Sequence, residues 1–217
     1  MMEFWIDDVN ESFKTVDGVL YTKDGKTLLA YPAGVDAYSF TVPEGVTDIA
    51  EGAFSGARKL VSITVSKDVA TIGTAAFAEC AKLVEVKNLS AMNITAGQAN
   101  GGIAANAYVN VYKDGESKVT VEDDFILYTT KDGDKDIVIL MGYCGSSESV
   151  TLPKKITSIN AYAFVDTEVT VFNFDGTEED WNKLQKADTW AFGIDAYTVK
   201  CSDKDVVFKT PEKPEEK

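Results

Sequence analysis

Short bursts of alternating polar and apolar residues run along this chain, and the bursts repeat one another. Ser39-Phe40-Thr41-Val42-Pro43 superposes on Ser62-Ile63-Thr64-Val65-Ser66 at a spacing of 23 residues, and the same spacing carries Val46 onto Val69, Ile49 onto Ile72, Phe54 onto Phe77 and Leu60 onto Leu83. A third copy opens with Ser149-Val150-Thr151-Leu152-Pro153 and continues through Ile156, Ile159, Ala163 and Phe164. Alternation with period two predicts a half-buried strand, with Ile63 and Val65 facing inward and Ser62 and Thr64 outward. The Val-x-x-Ile pair and the Ala-Phe that follow predict a second short strand and a short helical turn that plants Phe54, Phe77 or Phe164 in the interior. A unit of about 23 residues cannot bury these side chains alone, so neighbouring units must stack on one continuous core. The prediction is a mainly β solenoid with the three phenylalanines stacked in register.

A larger duplication encloses the smaller one. Val19-Leu20-Tyr21-Thr22, Lys23-Asp24-Gly25 and then Leu28, Leu29 and Tyr31 correspond to Ile126-Leu127-Tyr128-Thr129, Lys131-Asp132-Gly133 and then Ile139, Leu140 and Tyr143. Two β-rich runs around an Asp-Gly turn predict a hairpin in each case. The chain therefore reads as one solenoid domain over residues 1–209, built from two hairpin-plus-repeat halves, about 12–110 and 111–203. Between Asn88 and Asn110 the pattern thins into Gly-, Ala- and Asn-rich sequence, which predicts a degenerate repeat with a bulging loop before strand rhythm resumes at Tyr108-Val109. Thr177-Glu178-Glu179-Asp180 carries an N-cap, first-turn acids and a capping-box spacing. With Trp181, Leu184, Ala187 and Ala191 on one face, it predicts one α-helix of about three turns, flanked by strands over residues 169–174 and 196–201. Residues 210–217 are apolar-free with two prolines and read as a linker or tail.

Composition narrows the function classes. The 35 acidic and 21 basic residues give a net charge of −14, which argues against nucleic-acid binding, since phosphate affinity comes from clustered Lys and Arg. There is no histidine, so Ser-His and Cys-His nucleophiles and the commonest metal ligand are absent together. No segment approaches the ~20 apolar residues of a membrane helix, and no membrane insertion is expected. Cys80, Cys144 and Cys201 lack CxxC spacing and read as free thiols.

These residues carry a family likeness. Pro43-Glu44-Gly45-Val46-Thr47-Asp48-Ile49-Ala50-Glu51-Gly52-Ala53-Phe54-Ser55-Gly56 and its copies resemble the BspA-type leucine-rich repeats, whose units read roughly I-P-x-x-V-x-x-I-x-x-x-A-F-x-x-C-x-x-L. Val16-Asp17-Gly18-Val19-Leu20-Tyr21, Tyr31-Pro32-Ala33-Gly34, Gly142-Tyr143-Cys144-Gly145 and Gly176 to Trp181 fit the same family, over roughly residues 12–203. The resemblance implies a leucine-rich-repeat β-solenoid from a bacterium, secreted or displayed at the cell surface. In this family some members are adhesins that bind host matrix proteins. It supplies no catalytic residues, no metal and no cofactor, so the chain is expected to be a non-enzymatic protein-interaction module, monomeric, with a host matrix or surface protein as partner. The family's buried Cys falls on Cys80, which suits a packing role.

Against this stands an alternative from another class, a carbohydrate-binding or carboxylate-based glycan-processing domain using Asp, Glu and the three tryptophans Trp5, Trp181 and Trp190. Asp132, Asp134 and Asp136 alternate as calcium ligands can, although the hairpin turn accounts for the same segment. The candidate partner-binding face comprises Ser39, Thr41, Ser62, Thr64, Ser149 and Thr151, the outward pair of each strand. Stacking is expected to lay these six out as one ladder of small hydroxyls on a sheet face, which would let a partner approach closely.

Overall fold

The computed structural model describes residues 2–95, 97, 99–105 and 110–209. The expected tail over 210–217 and the resumption of strand rhythm at Tyr108-Val109 lie outside the described residues. The chain forms two compact units, 1–117 and 118–217.

The first unit contains β1 (Phe13–Val16), β2 (Val19–Thr22), β3 (Thr27–Ala30), β4 (Ser39–Thr41), β5 (Asp48–Ile49), β6 (Ser62–Val65), β7 (Thr71–Ile72), β8 (Glu85–Asn88) and β9 (Asn110–Tyr112). An antiparallel meander, β1-β2-β3, starts it. Its first turn holds Asp17 and Gly18 at φ of 50° and 74°, the double positive φ that a type I′ hairpin needs and that Asp-Gly supplies at low cost. From β3 onward these strands pair in parallel, and the chain winds alternately through two sheets, ordered β1-β2-β3-β5-β7 and β4-β6-β8-β9. Ser39 pairs with Ser62, Ser62 with Glu85, and Asp48 with Thr71, so the 23-residue period is the rung-to-rung step of the solenoid. Polar contacts keep the same step: Lys59 to Asp36 at 2.7 Å, Gly45 N donating to the Asp68 carboxylate at 2.9 Å, and Ser66 Oγ donating to Pro43 O at 3.2 Å.

The second unit repeats this plan with β10 (Val119–Glu122), β11 (Phe125–Asp132), β12 (Lys135–Tyr143), β13 (Ser149–Thr151), β14 (Ser158–Ile159), β15 (Val171–Asn173), α1 (Glu178–Lys183), β16 (Gln185–Lys186), β17 (Ala196–Lys200) and β18 (Asp205–Lys209). Its sheets run β10-β11-β12-β14-β16 and β13-β15-β17-β18. The first turn is again type I′-like, with Asp123 and Asp124 at φ of 49° and 65°. Both meanders carry a register shift in their second strand, at Leu20/Tyr21 and at Ile126/Leu127. Counted from the shared first turn, these are the same position, so the structural correspondence in β2 and β11 is one residue off the match of letters Val19-Leu20-Tyr21 to Ile126-Leu127-Tyr128.

Side chains that the alternation points inward fill the cores. In the first unit Tyr31, Phe54 and Phe77 form a column, with ring centres 5.1 and 4.7 Å apart and the last two nearly parallel at 8°. Phe164 is not in that column: it sits in the second unit's core with Tyr143 at 6.1 Å, Phe172 at 4.8 Å and Trp190 at 5.8 Å. The expected three-phenylalanine stack is therefore two separate clusters, because the third copy starts a new winding. Nor are the segments around the phenylalanines helical turns. Gly52 and Gly56, Ala75 and Glu79, and Tyr162 and Asp166 all take positive φ, which interrupts any helix and leaves successive tight turns such as Ser55 N to Gly52 O and Ala57 N to Phe54 O.

The insertion after β8 is a degenerate coil. Phe77 N donates to Gly101 O at 2.9 Å, as Phe54 N does to Ala76 O, and Ile103 is buried in the same core. The helix is correctly started but far shorter than three turns. Thr177 and Asp180 make both halves of the capping box, yet α1 ends at Lys183 because Leu184 is extended at ψ 125°, leading straight into β16, where Gln185 pairs with Ser158. Ala187 and Ala191 consequently lie beyond it.

Candidate functional site

On β4 and β6 the inward residues of the alternation are Phe40, Ile63 and Val65, of which Ile63 and Val65 are fully buried, while Ser39 and Thr41 are exposed and Ser62 and Thr64 half-exposed. Parallel pairing places Ser39 beside Ser62 and Thr41 beside Thr64, giving four hydroxyls on two adjacent rungs. The next rung replaces them with Glu85 and Lys87. Glu85 is buried and accepts from Ser117 Oγ at 2.6 Å, so the hydroxyl pattern stops there. Ser149 and Thr151 are exposed on β13, in a sheet of the second unit, where their neighbours on β15 are Val171 and Asn173. Asn173 Nδ2 donates to Ser149 Oγ at 3.2 Å and to Val150 O at 3.0 Å. The six residues thus form a four-residue patch and a separate pair instead of one continuous ladder, since the repeat that matches in letters is not the neighbour in space.

The sequence's other candidates fall out as follows. Asp132 and Asp136 are at the tip of the β11-β12 hairpin, with Asp132 paired to Lys135 and the Asp136 carboxylate 3.1 Å from Lys131 Nζ. Among the described residues no three Asp, Glu, Cys or His side chains converge as a metal site would require. Trp181 and Trp190 are buried core residues, whereas Trp5 is 80% exposed. Cys80 is buried and its thiol points at Phe54 O, 3.1 Å away. Burial pushes its pKa up to about 12, which makes it a packing group without thiolate reactivity. Cys144 is likewise buried, with Sγ 3.1 Å from Asp124 O. Phe208, which nothing in the repeat pattern placed in the core, is half-buried and stacked on Tyr197 at 4.8 Å.

Carboxylates with displaced acidity are shifted in one direction. Hydrogen bonds from Thr47 and Thr71 hold Asp48 below the ordinary carboxylate range, and Thr22, Thr177 and Lys155 do the same for Asp24, Asp180 and Glu122. Lys186 is pulled the other way from its usual state: half-buried, its ammonium donates to Trp181 O and Leu184 O and lies 4.3 Å from the Trp181 ring centre, and desolvation lowers its pKa. This residue closes the C-terminus of α1.

Two exposed aromatics escaped the sequence reading. Tyr162 and Phe192 pack edge to face, ring centres 5.3 Å apart, at 48% and 56% exposure. The available signal was that Tyr162 stands where the first repeat has Gly52.

No helix among the described residues is long and apolar enough to cross a membrane. No curated protein matches the sequence. Three solved structures are similar in part. The pneumococcal vaccine antigen PcpA shares 18% identity at a TM-score of 0.40, over 80% of this chain and 33% of its own. A leucine rich cell surface protein from Faecalibacterium prausnitzii A2-165 shares 18% at 0.36, over 88% and 40%. A leucine-rich repeat protein from Eubacterium ventriosum ATCC 27560 shares 16% at 0.37, over 78% and 54%. The chain spans between a third and about half the length of these proteins. The family model for the BspA type leucine rich repeat region matches six copies over residues 33–99 and 141–192, more than half of the sequence. On these coils, this register and that match, the chain belongs to the BspA-type leucine-rich repeat family.

Proposed function

We propose that this protein is a non-enzymatic interaction module, adhesin-like and positioned outside a bacterial cell or on its surface, that binds a protein partner through the hydroxyl-bearing sheet face of its solenoid. The observation that carries this reading is the in-register patch of Ser39, Ser62, Thr41 and Thr64 above an inner row in which Ile63 and Val65 are fully buried and Phe40 partly so. Short side chains on a regular parallel sheet leave a flat surface that a partner can approach without displacing long side chains. Ser149 and Thr151 offer a second, smaller surface of the same type. The net charge of −14 favours a basic partner, and association should weaken as salt screens it.

The glycan-processing alternative fares worse. Of the three tryptophans it would use, Trp181 and Trp190 are buried in the core and cannot stack on a sugar.

The test is binding to a panel of purified extracellular matrix proteins by surface plasmon resonance, with Thr41→Lys/Thr64→Lys and Thr151→Lys as separate variants. Both variants should fold normally because these side chains point outward. Loss of binding in the double variant alone assigns the first-unit face, loss in Thr151→Lys alone assigns the second, and a ligand held unchanged by both removes the hydroxyl faces from consideration.

A further inference from the structure

The turn that precedes each buried ring holds its second residue in the left-handed region: Gly52 at φ 63°, Ala75 at 49° and Tyr162 at 57°. Glycine is the natural occupant, since a Cβ costs energy there and a bulky side chain more. Packing does not demand a side chain at this position either. A Cβ built on Gly52 meets nothing within 4 Å, and Ala75 is exposed. Tyr162 therefore bears the strain without the compensation of burial. Its ring meets Phe192, which is itself mostly exposed, and the two turns are fixed together by Tyr162 N donating to Thr189 O at 2.9 Å and Phe164 N to Trp190 O at 3.3 Å. Strain that the core does not repay points to what the ring presents to solvent.

Charge says what could be presented to it. Residues 160–168 and 187–195, which carry the two rings, contain Asp166, Glu168, Asp188 and Asp195 and no Lys or Arg. An aromatic pair whose own turns are purely acidic attracts a cation over the ring face while the carboxylates neutralise it. We propose that Tyr162 and Phe192 form a docking point for an Arg- or Lys-bearing segment of a partner protein. This site lies on different residues from the hydroxyl faces, and it stands or falls separately from them.

Aromatic-carbon NMR of the full chain, titrated at low salt with hexaarginine, hexaglutamate and maltohexaose in turn, reads the site directly. Hexaarginine should move the Tyr162 and Phe192 ring resonances and the other two probes should not. Tyr162→Gly should bind hexaarginine about two- to fivefold more weakly, the scale of one exposed cation–π contact. It should also abolish the Phe192 response, and it should melt no lower than the parent because glycine relieves the strained φ. Rings that stay still with hexaarginine, or an unchanged affinity in Tyr162→Gly, overturn the proposal. Rings that move with maltohexaose instead make the pair a sugar platform, which also overturns it. A melting temperature lowered by more than about 5 °C, on the order of 1 kcal/mol for a unit of this size, would show that the ring is a packing element after all.

Discussion

The two units share one plan and finish it differently. In the first, residues 66–70 join β6 to β7, each rung from β4 to β6 to β8 and from β5 to β7 advances 23 residues, and rings at equivalent positions stack face to face, Phe54 on Phe77 at 8°. In the second, residues 174–184 join β15 to β16 and include α1, so the next aromatic arrives off register. Trp190 there meets Phe164, Phe172 and Trp181 at 85°, 66° and 73°. The closing strands differ too: β9 adds to β8 in parallel, as another coil would, whereas β18 folds back antiparallel on β17 and brings Phe208 onto Tyr197. Equal coil length lets one side chain serve as the floor for its own repeat. A longer coil needs large aromatics that fill space by their edges, and an antiparallel strand ends the winding.

The largest expected effect tests whether both solutions bear equal weight. Phe54 and Phe164 are each fully buried, so Phe54→Ala and Phe164→Ala should each cost about 3 to 5 kcal/mol in urea unfolding, against little for Phe192→Ala. Trp181 and Trp190, both in the second unit, are buried while Trp5 is exposed, so tryptophan fluorescence follows the second unit and far-ultraviolet ellipticity follows both. If residues 1–209 are one cooperative solenoid, the two midpoints should fall together in Phe54→Ala. A fluorescence midpoint left where the parent has it would divide the chain at residue 117 instead.

A second contrast lies in how closely coils approach. Gly73 follows Ile72 on β7, and a methyl group there would meet the backbone of Ala50 and Glu51 at 2.7 and 2.8 Å. Rigid backbone cannot retreat as a side-chain end would, so Gly73→Ala should cost about 1 to 3 kcal/mol by overpacking. The corresponding second-unit position, after Lys186 on β16, is Ala187, which already carries a methyl group and whose N donates to Ile159 O as Gly73 N does to Ile49 O; one rung earlier Asn160, the counterpart of Ala50, rests its amide 3.6 Å from the Met141 sulfur. Asn160→Ala should stay within about 1 kcal/mol, in the range of one modest side-chain contact. Comparable thermal shifts for the two variants would mean that the first unit is no more tightly wound than the second.

Much of this architecture was legible in the letters, and the failures share a cause. Period two fixed which of Ser62, Ile63, Thr64 and Val65 face inward, and the 23-residue offset fixed strand neighbours, because both are consequences of local geometry repeated. Spatial neighbours across the break between units were not legible. Phe164 matches Phe54 and Phe77 in type, as Thr151 matches Thr64, but type does not say which coil lies beside which. Helix length failed through a tertiary demand: Trp181, Leu184, Ala187 and Ala191 have helical spacing, yet Gln185 is required by Ser158 as a strand partner, and that pairing prevails over propensity. The partial burial of Phe208 was not legible because its partner Tyr197 belongs to a hairpin that the repeat does not contain. Tyr162 and Phe192 show the converse, since a departure from the repeat at an exposed turn was visible but had no meaning until φ was known.

The helix itself is the next difference to break. Thr177 Oγ accepts from Asp180 N at 3.2 Å and Asp180 accepts from Thr177 N at 3.1 Å, so Thr177→Ala removes the side-chain cap and leaves only the half of the box that Asp180 makes with the backbone. The expected loss is about 1 kcal/mol, with α1 amides losing hydrogen-exchange protection while β4, β6 and β8 in the first unit keep theirs. Protection of α1 that survives would mean Trp181 packing and the Lys186 ammonium hold the helix without its cap.

The smallest effect concerns acid, and it separates the units by residue. Asp48 on β5 accepts hydrogen bonds from Thr47 Oγ at 2.6 Å and from Thr71 Oγ on β7, which lower its pKa in the folded state. Its second-unit counterpart on β14 is the neutral Ser158, and the acid-sensitive groups of that unit include Asp180 in the capping box and Glu122 beside Lys155. A carboxyl with a depressed folded pKa stabilises fully above its unfolded value, about 3.9, and the contribution drains away as pH falls through the folded value. Asp180 is exposed and Asp48 only partly buried, so screening keeps the effect modest. Melting temperature should therefore be flat from pH 7 to about pH 5 and decline below about pH 4. Asp48→Asn should lower the neutral-pH value slightly and flatten the acid decline, because an amide at that site has no proton to gain. Asp180→Asn should do the same through α1. A decline that keeps its full slope in the double variant would assign acid sensitivity to other groups, Asp24 and Glu122 among them, instead of to these two hydrogen-bonded carboxylates.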